Sequence, residues 1–181
     1  MKKLITTASL LILFPMLVSA QSAPSTDHPS RGDGYLFFGL GNVSNNGANG
    51  FSTKFAVVEH VGGGGEVFLY KGLGVGAEVG YAHWGANGNV AWIPSGDVLF
   101  HLRGNKPRAR VDPFVLGGIS GYIPTSHGNR GSVADNLGGG VNLWFSKYYA
   151  LRLEFRDYTT GELNLAPGRN YASFRIGVTF R

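Results

Sequence analysis

The sequence predicts an all-β fold, an eight-stranded antiparallel up-and-down barrel that crosses a membrane with its strands. Three observations lead there. Apolar and polar residues alternate along repeated stretches, the period of a strand with two unlike faces. Glycine is frequent (29 of 181 residues) and aromatics make up 13%, while charged residues are only 15%, against about 25% in typical soluble domains. After residue 20 no stretch is apolar and long enough for a membrane-spanning helix, so later contact with lipid has to be made by strands.

The N-terminus is organised differently. Lys2 and Lys3 precede an apolar run from Leu10 to Val18, and Val18-Ser19-Ala20 follows. This is the three-part pattern of a secretory signal peptide, residues 1–20, with cleavage after Ala20. A membrane anchor fits less well, because the run falls short of about 20 residues and Pro15 interrupts it. Cleavage leaves a net charge of +3. Residues 21–33, rich in Ser, Pro and Asp, read as a flexible leader, and residues 34–181 as the barrel domain. The absence of cysteine rules out a disulfide framework and thiol chemistry.

Strands are expected at roughly 34–42, 61–70, 73–84, 90–102, 112–123, 135–146, 149–159 and 170–180, separated by Gly- and Asn-rich breaks. Most match the ~9–11 residues that a tilted strand needs to cross a bilayer. In the second, Val67 and Leu69 oppose Glu66, Phe68 and Tyr70. The third alternates most clearly: Leu73, Val75, Ala77, Val79 and Tyr81 oppose Gly74, Gly76, Glu78, Gly80 and Ala82. The fourth and fifth are less clean, since Leu99 falls with Asp97 and His101, and PFVLGGI is apolar on both faces. In the seventh, Leu151, Leu153 and Phe155 oppose Arg152, Glu154 and Arg156. In the eighth, Phe174, Ile176, Val178 and Phe180 oppose Ser173, Arg175, Gly177 and Thr179. Parity turns Tyr35 and Trp144 toward the lumen, while Tyr81, Trp84, Trp92, Tyr148 and Tyr149 are candidates for interfacial aromatic girdles.

Glycine decides which face turns inward. A solvent-facing strand gains nothing from glycine, yet glycine recurs here beside charged groups. An eight-stranded barrel has an interior just wide enough for side chains, so a bulky Arg or Glu needs a small neighbour. The expected lumen network is Glu66, Glu78, Asp97, His101, Arg152, Glu154, Arg156 and Arg175. The expected lipid-facing set is Leu73, Val75, Val79, Leu151, Leu153, Phe155, Phe174, Ile176 and Val178. Buried charges have to be paired, which favours a salt-bridged plug over an ion path. The outer loops fall at about 43–60, 85–89, 124–134 and 160–169, and the inner turns at 71–72, 103–111 and 146–148. Long outer loops with shorter inner turns are the asymmetry of outer-membrane barrels.

RGNKPRARVDPFVLGGISGY, LGGGVNLWFSKYYALRLEFRDY and the terminal RIGVTFR give the chain its family resemblance. It resembles the outer-membrane β-barrel domain family, the small eight-stranded barrels grouped with OmpA, OmpX and OmpW. The resemblance implies the fold, a bacterial outer-membrane location after export, contact with outer-membrane lipids and lipopolysaccharide, and a monomer. It also implies handling by the barrel-assembly machinery, which reads a terminal aromatic. Here Phe180 is that assembly signal, with Arg181 following it. The fold does not fix an activity.

The search for chemistry yields little. His28, His60, His83, His101 and His127 do not pair at metal-ligand spacing, so no metal site is expected. The Gly62–Gly65 run lacks the Lys-Ser/Thr of a phosphate loop, and no cofactor is implied. His127 with Ser126 or Ser132 and Asp135 could suggest a lipid-modifying enzyme, but no His-x-Ser-Asn run is present and SHGNRGS reads as a polar outer loop. The basic turn with Arg103, Lys106, Arg108 and Arg110 reads as solvated, and nucleic-acid binding is excluded for an exported chain without a basic-aromatic face. The expectation is a non-enzymatic barrel with a structural or surface-interaction role. The alternative is a narrow pore or a transporter of small hydrophobic compounds.

Overall fold

Period-two alternation dictates strands, and strands in lipid must pair along both edges because no water is there to satisfy free N–H and C=O groups. The computed structural model meets both demands. It describes residues 32–45, 52–84, 89–102, 110–125, 131–160 and 169–181. The expected signal peptide lies outside them, as does the leader apart from Gly32 and Asp33, which begin the first strand. The strands are β1 (Gly32–Asn45), β2 (Ser52–Tyr70), β3 (Leu73–Trp84), β4 (Asn89–His101), β5 (Val111–Pro124), β6 (Ser132–Trp144), β7 (Tyr149–Thr160) and β8 (Arg169–Phe180). Each pairs antiparallel with its neighbour in sequence, and β8 returns to β1, closing the barrel. A 12-residue strand such as β3, at about 3.3 Å per residue and a tilt of about 40°, rises roughly 30 Å, the thickness of a hydrocarbon core.

The second strand departs from the sequence reading. It begins at Ser52, so most of the loop expected at 43–60 is ladder: Asn42 pairs with Val57 and Gly39 with His60. Adjacent Val57 and Val58 break the alternation, and the Gly62–Gly65 run has no side chains to alternate. Backbone pairing needs neither. The sixth strand likewise starts earlier than expected, at Ser132, and ends at Trp144.

The β2–β3 turn is two residues long, with Lys71 at φ 43° and Gly72 at φ 92°. Positive φ at both centres is the turn whose twist matches the flanking strands. At the β6–β7 turn the Ser146 hydroxyl accepts from the backbone N–H groups of Tyr148 and Tyr149, at 3.1 and 2.8 Å.

The outer wall is apolar. Leu73, Val75, Val79, Phe155, Phe174, Ile176 and Val178 are exposed on it, and Leu151 and Leu153 are half-buried between neighbouring side chains. Tyr81 and Trp92 stand edge to face on this wall at 5.1 Å. Toward the outer end lie Glu59, 3.7 Å from His83, and the exposed Asp135. Lys71, Arg110 and Lys147 mark the inner end. The interior has three tiers: an apolar and ionic tier at the inner end, charged side chains at the middle, and an apolar tier toward the outer ends of the strands.

Candidate functional site

The eight charged residues expected in the lumen lie on inward positions of β2, β3, β4, β7 and β8, and none is more than 5% exposed. The structure brings them into one network. Arg156 donates through Nε to Glu154 (2.8 Å) and through Nη1 to Asp97 (2.9 Å), with Nη2 3.5 Å from Glu78. Arg175 donates through Nη1 to both Glu78 oxygens at 2.9 Å and to Glu154 Oε1 at 3.2 Å. Its Nη2 donates to the Tyr158 hydroxyl. Arg152 donates through Nε to Glu154 Oε2 at 2.9 Å, and Nη1 is 3.6 Å from Glu66. Glu154 is therefore the hub on which all three guanidiniums converge.

Toward the inner end the network continues through an imidazole. His101 Nδ1 is hydrogen-bonded to Asp112 at 2.8 Å, and its Nε2 lies 3.4 Å from Glu66, at ion-pair distance but without a formed hydrogen bond. Phe114 stacks on this ring at 5.5 Å and Phe68 meets it edge-on at 5.0 Å. Arg152 lies between the faces of Tyr35 (4.3 Å) and Phe114 (4.1 Å), and Arg175 lies over Phe37 at 4.1 Å. The rings replace water around the guanidiniums with a polarisable face.

Glycine makes the room. A Cβ on Gly80 would run into the ring of His60, and one on Gly118 into Asp97 and the backbone of Gly96. The irregular alternation of β4 and β5 also has a cause. Leu99, Phe114 and Leu116 face inward and form an apolar cluster, so these strands carry greasy residues on both faces.

Several buried residues were not picked out by the sequence. Asp112 is the second residue of β5 and stands on the parity of Phe114, which would have placed it inside. His60, fully buried, was hidden by its assignment to a loop. A neutral cluster links Ser95, Ser120 and Asn136 at 2.8 Å, whereas Tyr35, turned inward as its parity requires, donates to Glu78 at 3.0 Å. At the inner rim Arg181 reaches Asp33 at 3.0 Å and lies over Trp144 at 3.8 Å, tying the terminus to the β1–β8 seam. The ring of Phe180 rests against Gly34.

Of the residues weighed for a catalytic site, Ser126 and His127 lie outside the described residues, and Asp135 is exposed on the outer wall. Arg103, Lys106 and Arg108 of the basic turn also lie outside them. Among the described residues no group of three acidic, His or Cys side chains is placed to hold a metal.

An apolar exterior around an ionic interior inverts a water-soluble barrel and defines a transmembrane β-barrel. Solved structures share this fold. Neisserial surface protein A superposes with a TM-score of 0.60 at 11% identity, over 83% of this chain and 97% of that one. The N-terminal β-barrel domain of Pseudomonas aeruginosa OprF gives 0.53 at 16%, over 84% and 100%. The outer membrane enzyme PagL gives 0.55 at 12%, over 81% and 99%. No family model and no curated protein matches the chain. The similarity is that of small eight-stranded outer-membrane barrels, a fold that carries varied roles.

Proposed function

We propose that the protein is a monomeric, non-enzymatic component of a bacterial outer membrane. Its role is structural, or one of surface interaction through the outer connections, and its lumen is a plug rather than a path. One observation carries this reading: five carboxylates, three guanidiniums and an imidazole, each at most 5% exposed, link across the lumen from Asp112 at the inner end to Arg175 at mid-height. In an eight-stranded barrel such a network takes the space that an ion would need. Outer-membrane lipids and lipopolysaccharide would surround the wall, and the barrel-assembly machinery would insert the chain by way of its C-terminal strand.

Conductance in a planar bilayer tests the plug. Wild type should carry no stable current, and Arg152→Ala or Glu78→Ala should open one. Steady conduction by wild type would refute the plug. Unchanged lipid A masses with and without the protein are expected for a non-enzyme, and the folded chain should fractionate with outer membranes. A second reading, handling of small hydrophobic compounds, is favoured by an apolar cavity of about 80 Å³ above the network.

A further inference from the structure

Exposed charge is sorted along the barrel. Among the described residues the exposed cationic side chains, Lys71, Arg110 and Lys147, all lie at the inner rim, and the exposed acidic ones, Glu59 and Asp135, lie toward the outer end. The carboxylates of Asp33 and Asp112, near the inner rim, are buried and engaged, Asp33 by Arg181 and Asp112 by His101. The inner rim therefore turns positive charge to its surroundings with no exposed carboxylate among the described residues to neutralise it.

Two of the three cations share one side. The backbone carbonyl of Arg110 accepts from the N–H of Trp144 at 2.8 Å, which sets Arg110 beside the β6–β7 turn that carries Lys147. The carbonyl of Tyr148 in that turn accepts from the N–H of Arg181 at 3.0 Å, so the end of β8 borders it on the other side. Arg181 is committed to Asp33 and to the face of Trp144. Among the described residues no carboxylate is ion-paired with Arg110 or Lys147. Lys71 stands apart on the β2–β3 turn, over the ring of Tyr70 at 5.0 Å.

The β6–β7 turn adds the other parts of a headgroup site. The Ser146 hydroxyl oxygen accepts from the N–H groups of both Tyr148 and Tyr149, so its own proton is left to donate. Phe145, Tyr148 and Tyr149 are exposed around it, amphipathic or apolar rings of the kind that sit where a bilayer passes from headgroup to hydrocarbon. Just above the rim Val111, Leu143, Leu151 and Val178 pair in one row across β5, β6, β7 and β8, on outward positions. The order from rim to wall is thus cation and hydroxyl, then rings, then an apolar row. A phospholipid has the matching order of phosphate, glycerol and acyl chain. A dissolved anion or an acidic cell-wall polymer would use the charges and leave the row unused.

We propose that the rim between the ends of β5 and β8 is a docking site for an anionic phospholipid of the phosphatidylglycerol type. Its phosphodiester meets Arg110, Lys147 and the Ser146 hydroxyl, and its chains lie on the row from Val111 to Val178. The site rests on the wall facing lipid, and takes from the outer-membrane reading only the leaflet that the rim faces. Lipid selectivity reports on the site and cell fractionation on the placement, so either can fail alone.

The full chain, labelled with heavy nitrogen, is refolded into nanodiscs of phosphatidylcholine in which phosphatidylglycerol replaces a rising share of the lipid. The amide signals of Ser146, Lys147 and Tyr148 should shift and saturate, while those of Lys71 and Gly72 drift in proportion to the share. One surface cation is worth roughly fivefold in affinity for anionic lipid, so Arg110→Gln and Lys147→Gln should each weaken the saturable shift by about that factor. Lys71→Gln should leave it unchanged. In about 1 M salt, where screening acts within about 3 Å, the preference for phosphatidylglycerol should largely vanish. All three variants alter exposed side chains, and a retained heat-modifiable gel shift confirms that each is folded. The absence of a saturable shift in wild type overturns the site, as does an equal loss in Lys71→Gln and Lys147→Gln. The same saturating shifts produced by inorganic phosphate in discs of phosphatidylcholine alone would assign the rim to a dissolved anion and overturn the lipid. Binding of isolated peptidoglycan that Lys147→Gln abolishes, with no preference for phosphatidylglycerol, would overturn it in favour of the wall polymer.

Discussion

Replacing Arg156 with Met should expose how tightly the network is coupled. Arg156 is fully buried and contacts three carboxylates, at 2.8 Å (Glu154), 2.9 Å (Asp97) and 3.5 Å (Glu78). Met keeps much of the stem and fills much of the volume, so the loss is mainly electrostatic. Glu78 and Glu154 keep Arg175, and Glu154 keeps Arg152. Among the described residues Asp97 has no other ion pair. Removing one partner of a buried pair typically costs about 3–5 kcal/mol, chiefly through the charge left behind. That corresponds to roughly two to three and a half decades in the folding equilibrium. Urea titration of the refolded barrel in lipid, read by its heat-modifiable gel shift, measures the change. Asp97→Asn in the Arg156→Met background should recover part of the loss, because it removes the abandoned charge and because contacting residues are not additive. Arg156→Lys should fall between, since an ammonium cannot serve three carboxylates with a planar fork. A loss below about 1 kcal/mol in Arg156→Met would refute the reasoning, because only a hydrated lumen tolerates the deletion so cheaply.

Sidedness makes the next prediction. Phe155 is 53% exposed at the middle of β7, and Phe155→Arg should cost about 2–4 kcal/mol in the same titration. Asp135→Arg, toward the outer end, should cost much less, and equal costs would argue against a lipid-facing wall at Phe155. Lys71→Asn places a residue that tolerates positive φ in the β2–β3 turn and should stabilise by about 0.5 kcal/mol. Gly80→Ala forces a methyl group into the His60 ring and should destabilise by about 1–3 kcal/mol. Most of that loss should vanish in the His60→Ala background, which a urea series on the four proteins would reveal.

The amino-acid order alone was enough to state the architecture and to sort residues by face, because alternation is a local property: two bonds along the chain decide whether a side chain points in or out. Thus β3 begins and ends where its pattern does, and Glu78, Arg152, Arg156 and Arg175 lie on the inward parity of their strands. Where the period is masked, local reading fails. The glycine run and Val57-Val58 concealed half of β2 and with it His60, and Asp112 stood at the edge of a strand that is apolar on both sides. Partners could not be read at all. Asp97 meets Arg156 across 59 positions, and Arg175 meets Glu78 across 97. Those meetings depend on the tilt and stagger that close the barrel, a property of all eight strands together. The same holds for the apolar cavity above the network, whose lining is drawn from all eight strands and exists only once the barrel closes.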